Sequence, residues 1–182
     1  MTIELRLPTP GDIGECGRII FEGFRSIGEQ HSFPPDFPNV EFGQNVAEML
    51  IGHHPTYGIV AEADGKVVAS NSMSERDRIR GIRPITVDPE FRGKGVGRIL
   101  MEHMLERGSG QAGIRLVHDA FNTVSTSLYA KLGFESKEPL ALMSGRIRSD
   151  PPATHDYRRM TAQDVDESSA LCEQVHAFVR PT

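Results

Sequence analysis

The chain has no tryptophan, two cysteines and no long apolar run, and each shortage excludes something. Cys16 and Cys172 stand far apart and in neither a CxxC nor a metal-ligand spacing, so neither a disulfide framework nor a cysteine-based metal site is expected. The longest uninterrupted apolar stretch is the four residues 140–143, where a bilayer span needs roughly 20. Glu4, Arg6, Pro8 and Pro10 occupy the region where a secretory signal would carry a basic and then an apolar segment. These shortages together lead to the expectation of a protein of the reducing cytoplasm, with no membrane partner. Positive charge is also in deficit, with 20 Lys and Arg against 25 Asp and Glu. A net charge of -5 argues against a nucleic-acid partner.

What is present suffices for one folded domain. The 182 residues are 38% apolar with 18 glycines, enough for a sizeable core and a few tens of residues beyond it. Charge is unevenly spread. Between Arg76 and Arg98 lie seven cations (Arg76, Arg78, Arg80, Arg83, Arg92, Lys94, Arg98) against Asp77, Asp88 and Glu90, so this stretch is +4 and the rest of the chain -9. A compact polyanion would find a focus there, and a cationic second ligand would be drawn to the acidic surroundings. An ordinary solvated charge run is the alternative.

Ile3, Leu5 and Leu7 alternate with polar residues and predict a strand ending at Pro8, followed by a helix whose apolar positions include Ile13, Ile19, Ile20 and Phe24. Three prolines and two phenylalanines in residues 31–38 predict a shaped loop, and residues 40–51 a second helix. Asp64 and Gly65 predict a hairpin turn between strands 57–63 and 66–72. Residues 79–87 read as extended, but Pro84 cannot donate to a ladder, which predicts a bulge or one unpaired side. An amphipathic helix over 95–107, a short strand at 114–117, a helix from a cap at Asn122 through Leu132, and a closing hairpin formed by residues from Phe134 onward and 140–147 complete the expected domain.

Two motifs carry chemistry. In Val87-Asp-Pro-Glu-Phe-Arg-Gly-Lys-Gly-Val-Gly-Arg98, a strand leads through a turn into a helix, and the glycines let the backbone approach a bulky anion at the helix's free N–H groups. The spacing fits neither the dinucleotide fingerprint nor the P-loop. A flexible connection is the plain alternative. In the second motif, Asn122-x-x-Ser125-x-x-Leu128-Tyr129-x-Lys131-Leu132-Gly133-Phe134, Tyr129 lies one residue, about 100°, from the apolar stripe, so its ring can border the core while its hydroxyl reaches a cleft. A structural tyrosine and an ordinary cap at Asn122 are the alternatives.

Together, about thirty residues apart, the motifs resemble the GNAT superfamily of acyl-CoA-dependent N-acyltransferases. The resemblance implies an α/β fold of the α+β kind: a central twisted, mixed, mostly antiparallel sheet flanked by helices, with strands splayed at the acyl-CoA site. It implies acetyl-CoA as co-substrate, no metal, and a primary amine of a small molecule or peptide as acceptor. The backbone of Arg92, Gly93, Lys94, Gly95, Val96 and Gly97 would cradle the pyrophosphate, with Arg98 or Lys94 nearby. Ile85 and Val87 would hold the pantetheine arm, Asn122 would touch the arm or its neighbouring backbone, and Tyr129 would be the general acid.

The strand 79–87 has Arg80 and Arg83 and no acid, so the base is left open among Glu75, Asp119, His31, His53, His54 and water. That gap keeps a non-catalytic acyl-CoA-binding or structural module as the alternative. The loop containing Phe33 and Phe37 is expected to wall the acceptor pocket. The domain is expected to span 1–147, a linker 148–155, and a strand–helix extension 156–182. A shift of 152 aligns Arg6, Thr9, Asp12 and Glu15 with Arg158, Thr161, Asp164 and Glu167. Four identities in fourteen positions, where composition alone gives roughly one, make the extension resemble the start of a second such domain. A homodimer is left open.

Overall fold

Alternating Ile3 and Leu5 make β1 (Ile3–Arg6), which stops before Pro8 because proline has no N–H to give a ladder. The computed structural model describes residues 1–143, 145–146, 156 and 158–176. These fall into two compact units, Met1–Phe134 and Glu135–Thr182. No described helix is long and apolar enough to cross a membrane.

In the first unit, α1 (Ile13–Gln30) and α2 (Val40–Gly52) cross at two glycines. A Cβ built on Gly17 would stand 2.5 Å from the Gln44 Cα, and one on Gly43 would stand 2.4 Å from the Gly17 carbonyl, so the two backbones touch only because neither has a side chain. Asn39 caps α2 by accepting the Phe42 N–H. The hairpin of β2 (Thr56–Ala63) and β3 (Lys66–Ser74) turns at Asp64 and Gly65, both at positive φ, as its sequence predicts. β4 (Ile79–Ile82) and β5 (Thr86–Val87) follow, then α3 (Val96–Arg107), β6 (Gly113–Leu116) and α4 (Thr123–Lys131).

The sheet order is β1-β2-β3-β4-β6, with β5 also on β3. All pairs are antiparallel except β4 with β6. One face packs on α1 and α2 through Cys16, Ile19, Ile20, Ala47 and Val60. The other packs on α3 and α4 through Ile59, Met73, Leu100, Met101, Met104 and Tyr129. This is the expected fold class: a mixed, mostly antiparallel sheet flanked by helices.

The strand expected over 79–87 is interrupted as Pro84 predicts. Between the pairs Ile82–Met73 and Thr86–Ser70, the three residues Arg83, Pro84 and Ile85 oppose only Asn71 and Ser72. That is a β-bulge, locked by the Arg83 N–H on the Ser72 carbonyl at 2.8 Å.

The closing hairpin expected from Phe134 onward is not formed: none of the described residues among 134–143, 145 and 146 is in a strand. Glu135, Lys137 and Glu138 are solvated, Pro139 donates nothing, and Leu142 is 99% exposed, so these residues bury nothing that would offset the ordering of a hairpin. Ile147 and the expected linker 148–155 lie outside the described residues. In the second unit the expected helix is present as α5 (Val165–His176), but no strand precedes it among the described residues.

The start of α5 copies the start of α1. Arg6 gives two hydrogen bonds to the Asp12 carboxylate, at 2.8 and 2.7 Å, and the Thr9 N–H and hydroxyl give two more to its Oδ2. Arg158 does the same to Asp164 at 2.7 and 2.5 Å, with both Thr161 groups on Oδ2.

Candidate active site

The approach to α3 is fastened on both sides and free in the middle. Asp88, buried, accepts the Glu90 N–H and pairs with Arg18 of α1. Arg92 folds inward and donates to the Gly23 carbonyl and the Ser26 hydroxyl of α1, each at 2.8 Å. Burial lowers the Arg92 pKa from its usual value. Its side chain therefore belongs to the framework, and only its backbone remains to face a ligand. Between these posts Gly93 and Gly95 adopt φ of +74° and +86°, and a Cβ at either would meet nothing within 4 Å. Open space lies over the turn.

Gly95 is the N-cap of α3 and supplies no capping side chain. The first N–H groups of the helix thus keep their partial positive charge for an anion. Gly93, Lys94, Gly95 and Arg98 are exposed, Val96 is buried, and Gly97 is half-buried where Val87 and Leu128 meet. Lys94 lies 4.7 Å over the Phe91 ring, and Arg98 pairs with Glu102 at 3.1 Å. This arrangement can hold a diphosphate.

Beside the turn, one strand has a free edge. The Asp88 N–H bonds the Val68 carbonyl and Thr86 pairs with Ser70, so by the alternation of an antiparallel ladder Val87 turns its polar backbone away from β3, and its carbonyl accepts the Arg92 Nε–H at 3.4 Å. Ile85 is the preceding outward position. The ladder between β4 and β6 ends at Ile82 and Leu116, so β5 has a neighbour on β3 alone. The unpaired side of β5 leaves a gap in the sheet beyond the end of the β4–β6 ladder.

Tyr129 on α4 is 7% exposed and belongs to the core cluster against which Ile85 and Val87 pack. Burial raises its pKa, and a hydrogen bond with the Ser125 side chain works the other way. Its ring meets the edges of His118, at 5.3 Å between centroids, and Phe134, at 6.0 Å. The Asn122 Oδ1 accepts the Ser125 N–H at 3.1 Å, so that oxygen serves the helix cap.

The five side chains considered as bases separate by position. Glu75 takes two hydrogen bonds from Arg107 at the far end of α3, His53 contacts Arg76 at that same end, and His54 stands just before β2 beside them. His31 lies against Phe121, and Asp119, in the loop between β6 and α4, adds to burial in raising the pKa of Asp36. The loop expected to wall an acceptor pocket divides. Phe37 joins Phe24 and Phe42 over α1 and α2, while Phe33 stacks on Phe121 at 4.2 Å. Sequence reasoning missed His118 and Phe121. Their signal was placement in the loop between a strand end and the tyrosine-bearing helix, where functional residues concentrate.

The family model for acetyltransferases of the GNAT family matches residues 23–134. An acetyltransferase of Sodalis glossinidius is 30% identical over 106 residues, covering 57% of this chain and 74% of that protein. Among solved structures, the PaiA N-acetyltransferase of Thermoplasma acidophilum, in complex with coenzyme A, superposes with a TM-score of 0.64 at 17% identity, over 76% of this chain and 93% of that one. The aminoglycoside N-acetyltransferase AAC(6')-Iy, in complex with CoA, gives 0.60 at 17% identity over 80% and 96%. These two likenesses are of fold.

Proposed function

The chain belongs to the acetyltransferase (GNAT) family, and from that premise we propose that it transfers the acetyl group of acetyl-CoA to a primary amine of a small molecule or peptide, by direct attack with both substrates bound. One observation supports this most: the uncapped start of α3 meets both β5 and α4 at Gly97, where a Cβ would lie 3.7 Å from Val87 and from Leu128, the residue before the buried Tyr129. The residues suit the coenzyme. Gly93 and Gly95 leave the space a diphosphate needs, and Lys94 and Arg98 add charge at its rim. The outward backbone of Val87 and Ile85 matches the amides of a pantetheine arm. Acetyl-CoA supplies an acyl group already activated as a thioester.

The chain's own groups then have definite tasks. Outward N–H groups of the bulged strand stabilise charge developing on the carbonyl oxygen. Tyr129, kept protonated by burial, donates its proton to the departing sulfur while accepting a hydrogen bond from Ser125. Asn122 acts chiefly by capping α4 and so holding Tyr129 in place. The aromatic pair Phe33 and Phe121 borders the acceptor side. A screen of thiol release from acetyl-CoA over amines, amino acids, aminoglycosides and peptides tests the reading. Release with at least one amine class is expected, and none with any would contradict it.

A second reading, a non-catalytic acyl-CoA-binding module, is favoured by the lack of any carboxylate on β4, the bulge or β5, where Arg80 and Arg83 stand instead. It predicts coenzyme binding without turnover. For the second unit, we read the copied Arg–Thr–Asp clasp as the opening of a second domain of this kind. Support comes from the matching donors and acceptors at a constant offset.

A further inference from the structure

We propose that His118 is the general base of the transfer, a role that rests on the acetyltransferase reading above. Three observations carry it. The imidazole meets Tyr129 edge to face, at 5.3 Å and 67°, so it stands at the same gap as the proposed acid. It is exposed, hence open to an incoming amine. Its Nδ1 lies 3.0 Å from the Asp119 carbonyl. A carbonyl only accepts, so in the neutral ring the proton sits on Nδ1 and the lone pair on Nε2. Imidazole is also the side chain suited to proton uptake near neutral pH.

The charged or titratable groups around it are Tyr129 from α4 and Asp119 from its own loop, with Asp36 near Asp119 and His31 against Phe121. None of these bonds Nε2 among the described hydrogen bonds. The alternatives at the other end of α3 are engaged: Glu75 with Arg107, His53 with Arg76.

The step balances as follows. The ammonium form of the acceptor gives one proton to His118 Nε2, which passes it to solvent. The neutral amine nitrogen forms a bond to the acetyl carbon, the carbon–sulfur bond breaks, and the thiolate takes the Tyr129 proton. The second nitrogen proton restores Tyr129. The products are an N-acetyl amine, free thiol and one released proton.

The test compares wild type, His118→Gln and His118→Ala by thiol release over the amine screen above, by the pH profile of kcat/KM, and by calorimetric titration with coenzyme A. Nitrogen NMR of the labelled histidine reports the tautomer. The proposal expects the proton on Nδ1 and a kcat at least about 100-fold lower in His118→Gln. The acidic limb of the profile should disappear, the coenzyme Kd stay within about twofold, and added imidazole partly rescue His118→Ala. A wild-type rate and acidic limb in His118→Gln, or the proton on Nε2, would overturn the role of His118 and leave the acetyltransferase reading intact. Coenzyme binding by wild type with no thiol release on any amine would overturn both.

Discussion

The two ends of α3 differ in kind. At its C-terminal end Arg107 makes two hydrogen bonds to Glu75, at 3.0 and 3.1 Å, and lies 4.2 Å over the Tyr57 ring. His103 meets the Tyr57 hydroxyl at 2.8 Å. Each of these polar side chains has a protein partner within the fold. At its N-terminal end the helix begins on glycines, has no capping side chain and faces a gap where a strand lacks a neighbour. Contacts are made at one end, and at the other the fold leaves N–H groups available to a ligand. The same helix thus anchors the sheet at one end and opens it at the other.

Substitutions at the open end should damage function more than folding, and those at fastened contacts the reverse. The largest expected effect is from Tyr129→Phe: kcat should fall about 1,000-fold while coenzyme affinity changes less than twofold, read by steady-state kinetics and calorimetry. The sign of the pH effect follows from burial. An acid works while protonated, and a raised pKa extends that form upward, so the wild-type rate should hold to about pH 10, the ordinary phenol value, and fall only above it.

Next, Gly95→Val should raise the coenzyme Kd about 100-fold, near 2.7 kcal/mol, because a β-branched residue cannot hold φ of +86° and the turn must move. A Kd unchanged by this substitution would break the comparison at its open end. Among fastened contacts, Asp12→Asn should destabilise the fold by about 2 kcal/mol in urea, a figure discounted because the Arg6 side chain is 35% exposed. Arg6 and Thr9 hold the Asp12 carboxylate well below its usual pKa. Its contribution is therefore complete above the ordinary carboxylate pKa and is lost as pH falls through the lowered one. In wild type this steepens acid unfolding, and the variant should lack that part. The smallest effect is expected from Glu75→Gln, about 0.5 kcal/mol, fading in high salt, with kcat unchanged.

Local chemistry was legible in the sequence and distant packing was not. The clasp shows both halves. Arg6, Thr9 and Asp12 build one set of hydrogen bonds, Arg158, Thr161 and Asp164 build it again, and in both places the residues lie within six positions of one another. Yet Arg6 also bonds Glu62 at 2.7 Å across the sheet, a partner no spacing near Arg6 announces. The glycine turn, the Pro84 bulge and the Asn122 cap were readable for the same local reason. Arg92 was readable as part of the motif, but not as a side chain folded onto α1, 66 to 69 residues away. His118 and Phe121 acquire meaning only once the fold sets them against Tyr129 and Phe33. The hairpin expected after Phe134 is absent among the described residues because Pro139 can mark a turn but cannot order flanking strands that bury nothing.

The most direct test follows backbone amides by NMR as coenzyme A is titrated into the labelled protein. Saturable shifts centred on Gly93 to Gly97 and Val87, with Glu75, His103 and Arg107 undisturbed, are the result this account predicts. Saturable binding that leaves the glycine turn unshifted, or that centres on the Arg107 end of the helix, would contradict it.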